Sequence, residues 1–176
     1  MKVISYAPLF VLLGVLACLL FGYLLFSALG VSFTKNLSPS APLGLYALIS
    51  PFKLNRGDFV TMKIPSRISS FAGKTPWLNE KRPLLKTVAA LSSDTVCLKK
   101  RALMINGVEV AKTRPRDRQG KRLPHWRGCK TLTKREFLAL NTSSARSFDG
   151  RYFGPTKLGA IKHKAIPVLT FLETKS

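Results

Sequence analysis

The stretch Leu103-Met104-Ile105-Asn106-Gly107-Val108-Glu109-Val110 places an Asn-Gly pair between two short apolar runs. Both residues of this pair tolerate the positive φ angles that a two-residue type I′ turn requires. The stretch therefore predicts a β-hairpin, and it favours a mainly β domain around it.

Similar runs of strand-forming residues lie on both sides of the hairpin and are separated by turn residues such as Asn55-Arg56-Gly57 and Asp149-Gly150. Their spacing suits antiparallel sheets better than helix-length crossovers. The predicted strands are 44–49, 58–64, 83–90, 95–98, 103–105, 108–111, 137–140 and 166–172. We interpret residues 66–82 and about 112–130 as insertions, and the second contains eight basic residues against one acidic residue, Asp117.

The N-terminal part of the chain is an apolar run, LFVLLGVLACLLFGYLLFSALGV, from Leu9 to Val31. As a helix it would extend about 34 Å, enough to cross a hydrocarbon core of about 30 Å. A cleavable signal peptide is the alternative, but its apolar region is shorter, about 7 to 15 residues. We therefore predict a retained transmembrane anchor at about 9–31 within an N-terminal segment 1–34, followed by a β-rich domain at 35–176.

Composition narrows the possible classes of protein. The chain has 176 residues, 46% of them hydrophobic, which excludes a wholly disordered protein. Three cysteines and two histidines are too few for a disulfide scaffold or a zinc array. The net charge is +21, with 29 Lys and Arg against 8 Asp and Glu. Simple counting of the positive charges would keep the domain inside. The positive-inside bias is counted over short loops near the span, however, and long domains translocate largely regardless of charge, so the charges leave both orientations open.

The first candidate for chemistry is the segment SPSAPLGLY at 38–46, which lies between the predicted span and a strand. Ser38 and Ser40 offer hydroxyl groups, and either could serve a nucleophilic reaction if a base lay nearby. Serine and proline also favour turns for purely local reasons. The segment alone therefore leaves a turn and a nucleophile open.

The second candidate is Lys86, in the predicted strand 83–90. Strand alternation places it on one face with Leu84, Val88 and Ala90, so this face is otherwise apolar. Burial there would disfavour the ammonium and lower the lysine pKa, which makes a neutral amine available as a base. The alternative is an edge strand from which the lysine extends its amine into solvent.

The third candidate is the block SFDGRYFGP at 147–155, in which Asp149 and Arg151 are two residues apart. On a strand or bulge the two side chains can point to the same side. A structural ion pair is the simplest interpretation of these two charges.

Taken in order, the three blocks resemble the type I signal peptidase family of serine–lysine proteases, most closely its conjugative-transfer, TraF-type branch. The resemblance runs from about Asn36 to the C-terminus. It includes the segment LKTVAAL at 85–91 with DTVC at 94–97, and the segments RDRQGKRLP at 116–124 and GCKTL at 128–132. It implies a signal-peptidase-like antiparallel β-sheet catalytic domain preceded by one transmembrane helix.

The resemblance also implies the roles of individual residues. Ser40 would be the nucleophile and Lys86 the general base. The oxyanion would be bound by the hydroxyl of Ser38 and the backbone N–H of Ser40, and Ser147 would orient the lysine amine. Asp149 and Arg151 would have structural roles, and Cys97 and Cys129 would form a disulfide. The reaction would need no cofactor and no metal.

The function implied by the resemblance is cleavage of signal peptides from exported precursors, with maturation of a conjugative pilin. Water or a substrate amine can resolve the acyl-enzyme, so hydrolysis and cyclisation both stay open. The implied location is the bacterial inner membrane, with the catalytic domain in the periplasm and with membrane lipid and a pilin-like precursor as partners. The alternative is a membrane-tethered basic module that binds anionic lipid or nucleic acid through residues 112–130. Nucleic acid is not expected as the primary partner, because Trp126 is the only aromatic residue there that can stack on a base.

Overall fold

The computed structural model describes residues 6–28, 30–38, 41–50, 53–76, 78 and 82–171. Helix α1 spans Ala7–Ala28 and has no buried residue. It is the one helix among the described residues that is long and apolar enough to cross a membrane. Its 22 residues extend about 33 Å. The helix begins and ends slightly earlier than the predicted span.

The described part of the chain beyond α1 folds mainly into two antiparallel sheets, which confirms the predicted fold class. The larger sheet has the order β1-β2-β11-β3-β4-β9-β10. Its strands are β1 (Ser32–Asn36), β2 (Leu43–Ile49), β3 (Phe59–Met62), β4 (Leu84–Ala90), β9 (Glu136–Leu140), β10 (Thr156–Lys157) and β11 (Ile161–Phe171).

The smaller sheet has the order β7-β6-β5-β8. Its strands are β5 (Thr95–Lys99), β6 (Ala102–Ile105), β7 (Val108–Lys112) and β8 (Gly128–Thr131). The predicted hairpin is present between β6 and β7, where Ile105 faces Val108 and both Asn106 and Gly107 have positive φ angles, 49° and 84°. This geometry confirms the turn that the Asn-Gly pair predicts.

Strand β9 joins the two hydrophobic cores because it is buried on both faces. Phe137 and Ala139 face the core of the larger sheet, which includes Val88. Leu138 and Leu140 face the second core, formed mainly by the smaller sheet. This double burial explains the uninterrupted apolar run of β9. The loop that follows β9 therefore begins at a strand that both cores hold in place.

Cys97 on β5 lies directly opposite Cys129 on β8, and the two residues form a disulfide. Strand β8 lies at the end of the stretch that we interpreted as the basic insertion, so this part of the insertion belongs to the sheet. All four of its residues are exposed, so its sequence has no apolar alternation that would predict a strand. The disulfide closes a long loop and attaches the exposed strand to the sheet.

Three further elements differ from the sequence-based expectation. Strand β1 at 32–36 pairs with β2 although its residues are mostly exposed. A short helix, α2 (Ser69–Ala72), lies in the first predicted insertion. Helix α3 (Gly150–Phe153) lies where a strand or bulge was expected around Asp149 and Arg151, because the Asp149 carboxylate caps a helical turn by accepting a hydrogen bond from the Arg151 backbone N–H.

Candidate active site

Lys86 lies in the middle of β4, which is flanked by β3 and β9 and is therefore an interior strand. Only 4% of the residue is exposed. Its Nζ donates a hydrogen bond to Ser147 Oγ at 3.2 Å. The alternative of an edge lysine that extends into solvent is wrong, because the strand order leaves no edge at this position.

Burial lowers the pKa of Lys86 to about 8, since desolvation disfavours the ammonium. The negative charge of Asp149 acts in the opposite direction and raises this pKa, and the positive charge of Arg151 lowers it. A substantial fraction of the amine is therefore neutral near physiological pH. A neutral amine in this position has the properties of a general base.

The Ser147 side chain is held by the tight packing of its own segment. Ser147 is 2% exposed, and its backbone N–H donates to the Ser144 carbonyl at 3.1 Å. Two residues later the chain enters the cap of α3. The hydroxyl is thus fixed at hydrogen-bond distance from the lysine amine, which restricts the directions in which the amine can point.

Asp149 and Arg151 form a fully buried ion pair, with Arg151 Nε 2.8 Å from Asp149 Oδ1. The guanidinium also donates to the backbone carbonyls of Asn141 and Ala145, at 2.8 and 3.3 Å. The second carboxylate oxygen of Asp149 accepts the Asn141 N–H at 3.0 Å. The pair therefore closes the loop between β9 and α3, the loop that presents Ser147.

Asn141 is a residue of the site that the sequence analysis missed. Its Oδ1 accepts hydrogen bonds from the backbone N–H and the hydroxyl of Thr87, at 2.8 and 3.0 Å. Its Nδ2 donates to the Leu85 carbonyl at 3.3 Å. The side chain thus binds β4 on both sides of Lys86. An asparagine directly after a strand is typical of a turn, so its sequence context did not indicate this role.

The segment that contains Ser38 is held by a second asparagine, Asn36. Its Nδ2 donates to the carbonyls of Ser38, Ala41 and Pro42, at 3.0, 3.1 and 3.0 Å. Its Oδ1 accepts the Ser38 N–H at 3.1 Å. Ser40, the predicted nucleophile, lies outside the described residues, but this one amide group fixes Ser38 before it and Ala41 and Pro42 after it.

Tyr46 connects the same segment to the centre of the sheet. Its hydroxyl donates to the Pro42 carbonyl at 2.8 Å, and its ring makes an edge contact with Phe59 on β3. Leu85, the neighbour of Lys86, packs against the cluster that contains Tyr46. The loop before β2 and the lysine strand are therefore coupled through side-chain packing.

Replacing Asn36 with alanine is expected to lower the peptidase activity that the sequence predicts by about a hundredfold, because displacement of a reacting group by about 1 Å costs that much. The variant should remain folded, since Asn36 lies at the end of a peripheral strand. Circular dichroism and a precursor-cleavage assay measure the two effects. Asn79→Ala, in the first predicted insertion, serves as the control for loss of an asparagine, and full activity of Asn36→Ala would contradict the role of this amide.

The chain is similar to several known proteins. The model of the family "Signal peptidase, peptidase S26" matches residues 3–169. The plasmid transfer protein TraF of Escherichia coli is 30% identical over 146 residues, which cover 77% of this chain and 82% of that protein. The conjugal transfer protein TraF of Agrobacterium tumefaciens (strain 15955) is 32% identical over 158 residues, which cover 82% and 86%. A crystal structure of a signal peptidase I from Enterococcus faecalis V583 aligns over 65% of this chain and 98% of that one, with 19% identity and a TM-score of 0.38.

The family match extends over almost the whole chain, so the chain belongs to the signal peptidase family, peptidase S26. It is therefore a protease, and its apolar N-terminal helix makes it a membrane-anchored one. Within the family it is similar to the TraF proteins.

Proposed function

We propose that the chain is a serine endopeptidase in which Ser40 is the nucleophile and Lys86 is the general base. The observation that carries this proposal is the Lys86 amine, which is buried, has a pKa of about 8 and donates a hydrogen bond to Ser147. None of the ion pairs among the described residues involves Lys86. Burial of its amine is therefore costly for folding, which favours a chemical role.

In the proposed reaction, the neutral Lys86 amine takes the proton of the Ser40 hydroxyl as its oxygen attacks the scissile carbonyl carbon. The resulting ammonium returns the proton to the leaving amine as the C–N bond breaks, and an acyl-enzyme remains. The amine then takes a proton from water, or from a substrate amine, as this second nucleophile attacks the ester. Ser40 leaves with the proton, which regenerates the hydroxyl.

The developing oxyanion would be bound by the backbone N–H of Ser40 and the hydroxyl of Ser38. Pro39 has no N–H to offer, so the side chain of Ser38 supplies the second donor. Loss of one such donor typically costs about 3 kcal/mol of transition-state stabilisation. Asn36 supports this role because it fixes the Ser38 backbone through both its N–H and its carbonyl.

The proposed substrate is the signal peptide of an exported precursor. The names of the TraF relatives refer to plasmid and conjugal transfer, which favours a precursor used in conjugation, and we propose that it is a pilin. Ser40 follows the end of α1 by twelve residues, which keeps the nucleophile near the membrane surface. The proposed orientation places the domain in the periplasm. The disulfide supports this orientation, because disulfides form and persist in oxidising compartments.

The proposal is tested by co-expression of a conjugative pilin precursor with the wild type, Ser40→Ala and Lys86→Ala. Immunoblotting of the precursor should show processing by the wild type and none by either variant. Ser66→Ala and Lys99→Ala, both at exposed positions, should process normally. Processing by either Ser40→Ala or Lys86→Ala would refute the dyad. The mass of the product then separates hydrolysis from cyclisation, since a linear chain is heavier by one water.

The pH dependence of cleavage should follow the titration of Lys86. The base is active only when neutral, and its pKa is about 8. We therefore expect kcat/KM to rise about tenfold for each pH unit below 8 and to level off above it. Initial rates with a fluorogenic precursor peptide between pH 6 and 10 measure this profile. A rate that is constant from pH 6 to 8 would exclude Lys86 as the base.

A further inference from the structure

A pocket of about 450 Å³ lies beside the loop that carries Ser147. We name it the arginine pocket, because four arginines and two aromatic rings dominate its walls: Arg114, Arg116, Arg118, Arg146, Phe148 and Tyr152. All four arginines are exposed. Neither Lys86 nor Ser147 lines this pocket, and the pocket has no part in the proposed dyad.

A small hairpin arranges three of these arginines. Its ends are joined by the Leu123 N–H, which donates to the Pro115 carbonyl at 3.0 Å, and by the Asp117 N–H, which donates to the Lys121 carbonyl at 2.9 Å. Arg116 forms an isolated β-bridge with Arg122, Arg114 precedes this bridge and Arg118 lies in the turn. All three arginines line the same pocket. The sequence analysis interpreted this stretch as an insertion, and the structure shows it to be ordered by its own backbone pairing.

The acidic residue of the pocket wall, Asp117, stabilises the turn of the hairpin. Its Oδ1 accepts hydrogen bonds from the backbone N–H groups of Gln119 and Lys121, both at 2.9 Å. Among the described residues, none of the ion pairs involves an arginine of this pocket. The walls therefore present a strong excess of positive charge to any ligand.

The two aromatic residues of the wall belong to the same segment as Ser147 and Arg151. Phe148 stacks on Tyr152 with ring centroids 5.4 Å apart, and the Tyr152 hydroxyl accepts the Arg114 N–H at 3.2 Å. Phe148 directly follows Ser147 in the chain, and Tyr152 directly follows Arg151. A ligand in the pocket would therefore lie close to the residues that orient the lysine.

The chemistry of the walls selects an anionic ligand with apolar or aromatic parts. Guanidinium groups bind carboxylates in a bidentate manner. Phe148 is stacked between Phe71 and Tyr152, so the aromatic residues add a fixed apolar part to the wall. An acidic peptide segment that contains an apolar residue has both features. A phospholipid headgroup has the charge, but it is confined to the membrane surface.

The position of the pocket in the fold favours a peptide over lipid. Strand β1 begins only four residues after α1 ends, so this edge of the larger sheet is the one tied to the membrane. Arg146, Phe148 and Tyr152 of the pocket wall belong to the segment that follows β9, and β9 lies five strand positions along the sheet from β1. With about 4.8 Å between strands, this separation is about 24 Å along the sheet.

We propose that the arginine pocket binds an acidic segment of the precursor polypeptide while the scissile bond lies at the lysine. This inference rests on the proposed function and deepens it, since it assigns a charge preference to the substrate. The pocket acts in recognition and takes no part in bond cleavage.

The test measures binding separately from cleavage. The full chain in detergent is titrated against a short fluorescein-labelled peptide in which glutamates flank one phenylalanine, and against a matched peptide with glutamines. Fluorescence anisotropy should show about tenfold tighter binding of the acidic peptide. The double variant Arg116→Gln/Arg146→Gln should lose this preference, whereas Arg101→Gln/Arg127→Gln, which removes two exposed arginines outside the pocket, should keep it.

The same titration is made with Lys86→Ala and with phosphatidylglycerol vesicles. Lys86→Ala should bind the acidic peptide like the wild type, so the outcome for the pocket is independent of the outcome for the dyad. Equal affinity for the two peptides, or equal loss in both double variants, would overturn the inference. The inference would also be wrong if Arg116→Gln/Arg146→Gln weakened vesicle binding and left peptide binding unchanged, because lipid would then be the ligand.

Discussion

Replacing Lys86 with methionine is expected to abolish precursor cleavage and at the same time to stabilise the protein. Methionine has a similar length and volume, so it should fill the same space on the buried face of β4. It carries no charge that burial could disfavour. We expect the free energy of unfolding at pH 7 to rise by about 1 to 3 kcal/mol.

The expected gain follows from the pKa of the lysine in the folded and unfolded states. The pKa of the Lys86 amine is about 8 in the folded protein and 10.5 when the lysine is exposed to water, as in the unfolded chain. The unfolded state therefore binds the proton more tightly, and below pH 8 the folded state loses about 3 kcal/mol of stability through this group. The loss becomes smaller as the pH rises from 8 to 10.5. The advantage of methionine should accordingly shrink over the same interval.

Urea unfolding of the wild type and Lys86→Met at pH 7 and at pH 10 measures both effects. Lys99→Met, at an exposed position, is the matched control and should leave the stability nearly unchanged. If Lys86→Met were less stable than the wild type at pH 7, then the charged amine would be well accommodated. Burial of Lys86 would then carry no energetic cost that a catalytic role has to explain.

Replacing Asp149 with alanine is expected to lower the free energy of unfolding by about 3 to 5 kcal/mol, which is the largest effect on stability among the substitutions proposed for this chain. Asp149 is 0% and Arg151 is 2% exposed, so the substitution leaves a guanidinium buried without its counter-charge. It also removes the acceptor for the Asn141 N–H and the cap of α3. The loop that holds Ser147 should loosen as a consequence.

The ion pair between Asp58 and Lys164 provides the matched control for this substitution. Its atoms are 2.9 Å apart, a distance similar to that in the buried pair, but both side chains are partly exposed. Asp58→Ala should therefore cost no more than about 1 kcal/mol. Thermal unfolding of the two variants tests the difference. If Asp149→Ala and Asp58→Ala shifted Tm by the same amount, burial would not govern the strength of these pairs.

The elements that depend on local sequence could be predicted well. The apolar run from Leu9 to Val31 specified a spanning helix through its length, and the Asn106-Gly107 pair specified a hairpin through its backbone angles. Strand alternation also placed Lys86 on an apolar face. Strands β1 and β8 could not be predicted, because their residues are mostly exposed and their pairing depends on distant partners.

The alternation of side chains along the strand left open whether Lys86 points into a hydrophobic core or extends into solvent from an edge strand. The order of strands decided this, because β4 lies between β3 and β9, which are distant in the chain. The same dependence explains why Asn36 and Asn141 were missed. Their partners are backbone groups that only the fold brings within reach, such as that of Thr87, 54 residues before Asn141.

By itself the sequence determined an anchored, mainly β chain with a serine segment, a lysine on an apolar strand face and a surplus of positive charge. The tertiary structure decided that the lysine is desolvated, that its amine contacts a serine 61 residues away, and that four arginines surround one pocket. The physical reason is that helix length and turn angles are properties of neighbouring residues. Desolvation and the grouping of charges arise only when distant segments exclude water together.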